Sequence, residues 1–187
     1  MIPHNIVIIG VSTGGPIALR RLFADLPPLN AAIIVVLHIP QGMDYRIAKG
    51  LDAVSSMPVA LAVNGEYLRA GHVYIAPGGY HLMLEGNHRI VMVEGERVNF
   101  VQPSVDLAMK SISRPLKGKI VGVVLTGMGK DGAEGIQHIK AIGGITMAQD
   151  QDSCAIFGMP KAAAETGVVD FVLSPEKMGK KLASILS

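Results

Sequence analysis

Asn5-Ile6-Val7-Ile8-Ile9-Gly10-Val11-Ser12-Thr13-Gly14-Gly15-Pro16 is the stretch on which the reading of the whole chain turns. Four apolar, mostly β-branched residues run into a glycine, which reads as a strand buried on both faces. Pro16 suits the first position of a helix, where its missing N–H has no intrahelical partner to lose. The stretch therefore predicts strand, tight turn and helix, with Ser12 at the turn. Gly10-x-Ser12-x-Gly14 fits a nucleophile elbow, in which glycines let the backbone bend sharply and expose a hydroxyl. A phosphate-binding loop would need Lys and then Ser or Thr after its last glycine, but Pro16 and Ile17 stand there. A dinucleotide fingerprint would place glycine where Ser12 is. The alternative that remains is a glycine-rich turn whose serine only caps the helix.

Outward from that stretch the same grammar repeats. Apolar residues at helical spacing fill Ile17 to Leu26, and Pro27-Pro28 ends the run. Ala31 to Leu37 predicts a second buried strand, with His38-Ile39-Pro40 at its carboxyl end. Gln41 to Ser56 predicts a helix, weakened by Gly42 and Gly50. Short strands follow at Pro58 to Val63 and His72 to Ala76. His81 to Leu84 and Ile90 to Val93 flank Glu85-Gly86-Asn87-His88, the pattern of a hairpin. Pro103 to Ser113 predicts a helix starting near Pro103 or Ser104. Lys119 to Thr126 predicts a buried strand running into Gly127-Met128-Gly129-Lys130-Asp131-Gly132, and a helix follows to Ile142. Gly144 to Ala148 predicts a strand, Pro160 to Thr166 a helix and Val168 to Leu173 the last strand. Ser174-Pro175 opens the last helix.

Strands alternating with helices predict an α/β domain with a mainly parallel sheet. Composition agrees: of 187 residues 49% are hydrophobic and 4% aromatic, an aliphatic balance suited to strands covered on both faces. A net charge of +2 without a basic run argues against a nucleic-acid partner. The single cysteine, Cys154, cannot close an internal disulfide, and a reducing, cytoplasmic setting is expected. The start lacks the pattern of a secretory leader, and no apolar run is long enough for membrane insertion. One domain, 1–187, is expected.

Ligands in parallel α/β sheets bind at the edge formed by the strands' carboxyl ends. Of six histidines, His38 is the one that directly follows a strongly apolar parallel strand. Ser12 and His38 should thus lie on one edge after successive strands, where the imidazole can serve as base to the hydroxyl. A triad also needs an acid to hold the ring. Asp131 is favoured by the glycines around it, with Asp150 and Asp152 as alternatives, and Asp131 as a simple helix cap is a further reading. The Thr13 N–H, next to the nucleophile at a helix start, is the expected oxyanion donor, and the Gly127-Met128-Gly129 loop, with Met128, is a second candidate for binding the oxyanion or the substrate side chain. No metal-ligand spacing appears and no cofactor is expected.

These residues also carry a family resemblance. Gly10-Val-Ser-Thr-Gly-Gly-Pro16, Leu37-His-Ile-Pro40, Tyr74-Ile-Ala-Pro-Gly78 with His81-Leu82, Pro103-Ser-Val-Asp106, Leu125-Thr-Gly-Met-Gly-Lys-Asp-Gly132 and Cys154-Ala-Ile-Phe-Gly-Met-Pro-Lys161 occur in this order. Together they resemble the catalytic domain of the CheB chemotaxis protein-glutamate methylesterases across nearly the whole chain. The resemblance implies a doubly wound three-layer α/β/α domain with one antiparallel hairpin. It implies Ser12 as nucleophile, His38 as base and Asp131, rather than Asp150, as acid. It further implies hydrolysis of glutamate γ-methyl esters on the cytoplasmic helices of chemoreceptors, with glutamine deamidation in some members. Two departures stand out. The phospho-receiver domain common in the family is not in this chain and would be a separate partner, and Gln102 stands where the family often has arginine. A catalytically silent regulatory domain, or an esterase for a non-chemotaxis signalling protein, are the alternatives.

Overall fold

The structure is a computed structural model that describes residues 3–115 and 117–187; Met1, Ile2 and Leu116 lie outside them. Seven parallel strands form one sheet in the order β3-β4-β2-β1-β7-β8-β9. In chain order they are β1 (Asn5–Val11), β2 (Ala31–Leu37), β3 (Val59–Leu61), β4 (His72–Ile75), β7 (Ile120–Val124), β8 (Ile145–Gln149) and β9 (Phe171–Leu173). The remaining pair, β5 (His81–Glu85) and β6 (Arg89–Val93), is an antiparallel hairpin apart from the main sheet. Among the described residues there are six helices: α1 (Gly15–Phe23), α2 (Asp44–Asp52), α3 (Val105–Lys110), α4 (Ala133–Ala141), α5 (Met159–Glu165) and α6 (Pro175–Leu186).

Strand alternation builds two cores. Val7, Ile9 and Val11 of β1 and Ile33, Val35 and Leu37 of β2 pack with Leu19, Leu22 and Phe23 of α1, Leu51 of α2 and Leu182 of α6. The intervening Ile6, Ile8, Ile34 and Val36 pack with Val105 and Met109 of α3, Ile136 and Ile139 of α4, Met159 of α5 and the hairpin residues Leu82, Leu84 and Ile90. Successive side chains of a strand point to opposite faces, so one continuous apolar run serves both layers. This is the doubly wound three-layer arrangement expected from the sequence, and its mainly parallel sheet and single hairpin are as read.

Differences are confined to element ends. The second helix begins at Asp44 rather than Gln41, because Gly42 takes φ 95 and breaks the turn before it. The last strand is shorter than expected, and the helix expected from Pro103 is a six-residue helix capped by Ser104, whose hydroxyl accepts from the Leu107 N–H.

From β1 the chain winds outward through β2 in one direction, while β7 returns to the other flank of β1. The switch point therefore lies at the carboxyl end of β1, where an open sheet forms its crevice. Gly10 lets α3 reach that point: a Cβ there would lie 2.4 Å from Val105 Cγ1.

Candidate active site

Ser12 and His38 are each the first residue past a register pair, Val11 opposite Leu37. Adjacent parallel strands run about 4.8 Å apart, so the two residues stand side by side. The His38 N–H fixes this by donating to the Val11 carbonyl at 3.1 Å. The described side-chain hydrogen bonds include none from the Ser12 hydroxyl. Strand register, rather than a side-chain bond, sets the two residues beside each other.

The turn that carries Ser12 is held from β7. The Ser12 N–H donates to the Thr126 carbonyl at 2.9 Å. The Thr126 hydroxyl donates to the Thr13 carbonyl at 2.9 Å and accepts from the Ile156 N–H at 3.0 Å. Gly14, with φ 81, caps α1 without any side-chain bond, so Ser12 is not the helix cap that one reading allowed. The loop after β7 presses directly on the serine. A Cβ on Gly127 would sit 2.7 Å from Ser12 Cβ and 2.4 Å from Met159 Sδ. Met128 stands next on this loop with 70% exposure.

Asp131 is the acid that meets His38. Its Oδ2 lies 2.7 Å from His38 Nε2, with the two side chains only 9% and 3% exposed for His and Asp respectively. Burial pushes the Asp131 carboxyl up, but the His38 hydrogen bond and the N–H groups of Asp106 and Val105 outweigh it and hold the carboxyl below its ordinary range. An ionised carboxylate only accepts, so Nε2 carries a proton, and in the neutral ring this leaves the lone pair on Nδ1. Asp150 is spent elsewhere: its Oδ1 accepts from the Ser153 N–H at 3.1 Å and from the Ser153 hydroxyl. Asp152 is exposed.

Nor is Asp131 the cap of its own helix; Gly132, with φ 102, takes that position in α4. Its carboxylate instead caps α3, accepting from the Val105 N–H at 2.7 Å, the Asp106 N–H at 3.0 Å and the Ser104 hydroxyl at 3.1 Å. The reverse holds for Asp106 in α3, whose Oδ1 accepts from the Gly132 N–H at 2.9 Å and the Gly135 N–H at 2.7 Å at the start of α4. The two helices thus cap each other through two carboxylates. Burial raises the Asp106 carboxyl above its ordinary value, and the charge of Asp131 adds to this. The Asn99 amide ties the pair together, donating to Asp106 Oδ2 at 2.9 Å and Asp131 Oδ1 at 3.3 Å.

Asn99, Ser104 and Asp106 are site residues that the sequence reading left without a role. His81 is another: its Nε2 donates to the Glu96 carbonyl at 2.8 Å and its Nδ1 accepts from the Ser104 N–H at 3.1 Å. It pins both ends of the segment that carries Asn99. His38, Gln41, Gly79, Arg97, Phe100 and Gln102 are among the residues that line a cavity of about 420 Å³ beside that segment. Gln102 is therefore in the site region, and Arg97 brings a cation to the same cavity. Among the described residues no cluster of three His, Cys, Asp or Glu could hold a metal ion, and no helix is long and apolar enough to cross a membrane.

A doubly wound parallel sheet that gathers a serine, a histidine and a buried carboxylate at its switch point defines the class: a three-layer α/β domain with a polar cluster at the ligand-binding edge of its sheet. The chain belongs to the CheB methylesterase family, whose model matches residues 7–182. It is 42% identical over 173 residues to a protein-glutamate methylesterase/protein-glutamine glutaminase of Symbiobacterium thermophilum, covering 92% of this chain and 48% of that one. It is 43% identical over 182 residues to the protein of that name in Pyrococcus horikoshii, covering 95% and 50%. The crystal structure of the Thermotoga maritima CheB methylesterase catalytic domain superposes with a TM-score of 0.90 at 39% identity, covering 97% of this chain and 98% of that chain. The chain spans about half the length of the curated relatives it matches.

Proposed function

We propose that this chain is the catalytic unit of a serine esterase that hydrolyses glutamate γ-methyl esters on chemoreceptor helices to glutamate and methanol. The observation that carries the reading is the buried Asp131–His38 pair set one strand from Ser12, in a chain of this family. The Ser12 hydroxyl attacks the ester carbonyl while His38 Nδ1 takes its proton. The tetrahedral intermediate collapses, His38 returns the proton to the leaving methoxide, and methanol departs. Water, deprotonated by His38, then cleaves the γ-glutamyl-serine ester and restores Ser12. Asp131 orients the ring and stabilises the imidazolium in both halves. The Thr13 N–H, at the turn into α1, is the donor to the oxyanion, a type of contact worth about 3 kcal/mol. Met128, exposed on the loop against Ser12, borders the substrate.

The same steps convert a receptor glutamine to glutamate with ammonia as the leaving group, in line with the double name of the relatives. In this reading the partners are methylated receptor helices, and any receiver domain is supplied beyond this catalytic unit. The test is methanol release from methyl-esterified receptor signalling domains, wild type against Ser12→Ala. Release by the wild type alone supports the proposal. Equal release by both refutes Ser12 as nucleophile. No release by either, together with no labelling of the wild type by a fluorophosphonate probe, refutes the esterase.

A further inference from the structure

Val98 and Val101 exchange both backbone hydrogen bonds at 3.0 Å, closing a two-residue turn over Asn99 and Phe100. Both turn residues have positive φ, 52 for Asn99 and 67 for Phe100. That is the type I′ geometry. Asparagine tolerates it, but for a bulky residue it is an outlier that costs stability. Glycine is the residue such a turn ordinarily takes at its second position. The phenylalanine gains nothing inside the fold in return, for it is 91% exposed. Its placement is nevertheless tightly held. Asn99 reaches inward to Asp131 and Asp106, His81 fastens the segment at Glu96 and Ser104, and Phe100 itself lines the cavity that His38 also lines.

A strained backbone that presents an apolar ring to solvent, fixed through one side chain to the acid that orients the base, has its use outside the folded chain. We infer that Phe100 is a specificity-determining residue: it packs against an apolar side chain of the polypeptide next to the esterified glutamate. Arg97, in the same cavity, suits a substrate segment that also carries acidic groups. The site would thereby favour an ester on a protein surface over a small free ester. This inference rests on the esterase reading above and extends it to how the substrate is chosen.

The readout is the ratio of kcat/KM on the methyl-esterified receptor domain to kcat/KM on nitrophenyl acetate, for wild type and Phe100→Gly. Burying a phenylalanine ring on binding corresponds to about tenfold or more in affinity. The ratio is therefore expected to fall about tenfold, chiefly through KM on the protein substrate. The Tm of Phe100→Gly should equal or exceed the wild-type value, because glycine accepts this φ freely. A residue kept only for the fold would show the opposite sign. If Phe100→Gly melts lower, Phe100→Asn, which also tolerates positive φ, serves as the second variant. A ratio within twofold of wild type in the folded variant overturns the inference and leaves the esterase standing. A wild-type chain whose Ser12 takes the fluorophosphonate probe but which releases no methanol from the receptor domain overturns the proposed substrate and this inference with it.

Discussion

Asp131→Asn separates the two things that one carboxylate does. Oδ2 takes donors from both His38 Nε2 and the Val105 N–H, each at 2.7 Å. An amide NH₂ in that place meets two donors. Turned over, it meets the Asp106 N–H at the other oxygen's position, together with the Ser104 hydroxyl and the Asn99 amide. Either rotamer leaves at least one buried backbone N–H unpaired, at about 1–3 kcal/mol, and removes charge-assisted bonds of about 1.5–3 kcal/mol. A net loss of about 3 kcal/mol is expected. For a chain of this size that lowers Tm by about 6–12 °C. The catalytic loss should be far larger. Without the carboxylate nothing holds the His38 proton on Nε2, and loss of the acid in a serine triad costs about 10⁴ in kcat. Thermal melting and methanol release, both measured well below the variant's Tm, give the two numbers. A Tm drop of the expected size with kcat reduced less than tenfold would refute the triad assignment and leave Asp131 as a cap for α3 alone.

Gly127→Ala should drive a methyl into Ser12 Cβ and Met159 Sδ; an overpacking cost of about 1–3 kcal/mol and roughly a hundredfold lower activity from a displaced nucleophile are expected. Gly129→Ala, which meets nothing within 4 Å despite φ 94, should cost only backbone strain, so equal activity losses in the two would contradict the packing argument. The Asp131 carboxyl is held down in the folded state, so its contribution is complete at neutral pH and fades as pH falls through the unfolded value near ~3.9 toward the folded one. The Asp106 carboxyl is held up by burial, so its contribution is complete at low pH and is lost as pH rises through its folded value. The Tm difference between wild type and Asp106→Asn should accordingly shrink as pH climbs above ~4, and a difference flat in pH would show that Asp106 is not raised. Burial pushes the Cys154 thiol from its ordinary 9.0 to about 11; iodoacetamide at pH 8 should therefore modify it about a hundredfold more slowly than a small free thiol, and alkylation at the small-thiol rate would refute that.

Much of this architecture is legible in the sequence because parallel strands buried on both faces leave unbroken aliphatic runs. Ala31–Leu37 is read to the residue, and Asn5–Val11 differs from its apolar core only at the ends. The adjacency of Ser12 and His38 is legible for the same reason, since each follows such a run and successive strands tend to be neighbours. The return of β7 to the flank of β1 is not written in any local pattern, and it is what brings Asp131 within reach of His38. Spacing alone therefore leaves Asp131 in competition with Asp150 and Asp152; the family resemblance implies Asp131, and it is Asp131 that lies 2.7 Å from His38. Asn99, Ser104 and Asp106 have no periodicity to mark them, because their work is hydrogen bonding across 25 or more residues, or within a loop that carries no glycine at its tip. An asparagine followed by an apolar residue between two valines is the one local sign of the Asn99–Phe100 turn, and its conformation runs against the preference of the second residue.

The exchange of caps between α3 and α4 makes the orientation of the Asp131 carboxylate an all-or-none property. The start of α3 donates to Asp131, which lies just before α4, and the start of α4 donates to Asp106 in the first turn of α3, so opening either start removes a partner from the other. The amides of Val105, Asp106, Gly132 and Gly135 form a single opening unit and should exchange with solvent at a common free energy. A molecule in which that unit has opened still displays Ser12 on its turn from β1, yet its imidazole has lost its anchor. On the proposed function, partly folded chains would then be hydrolytically quiet until both helix starts had closed.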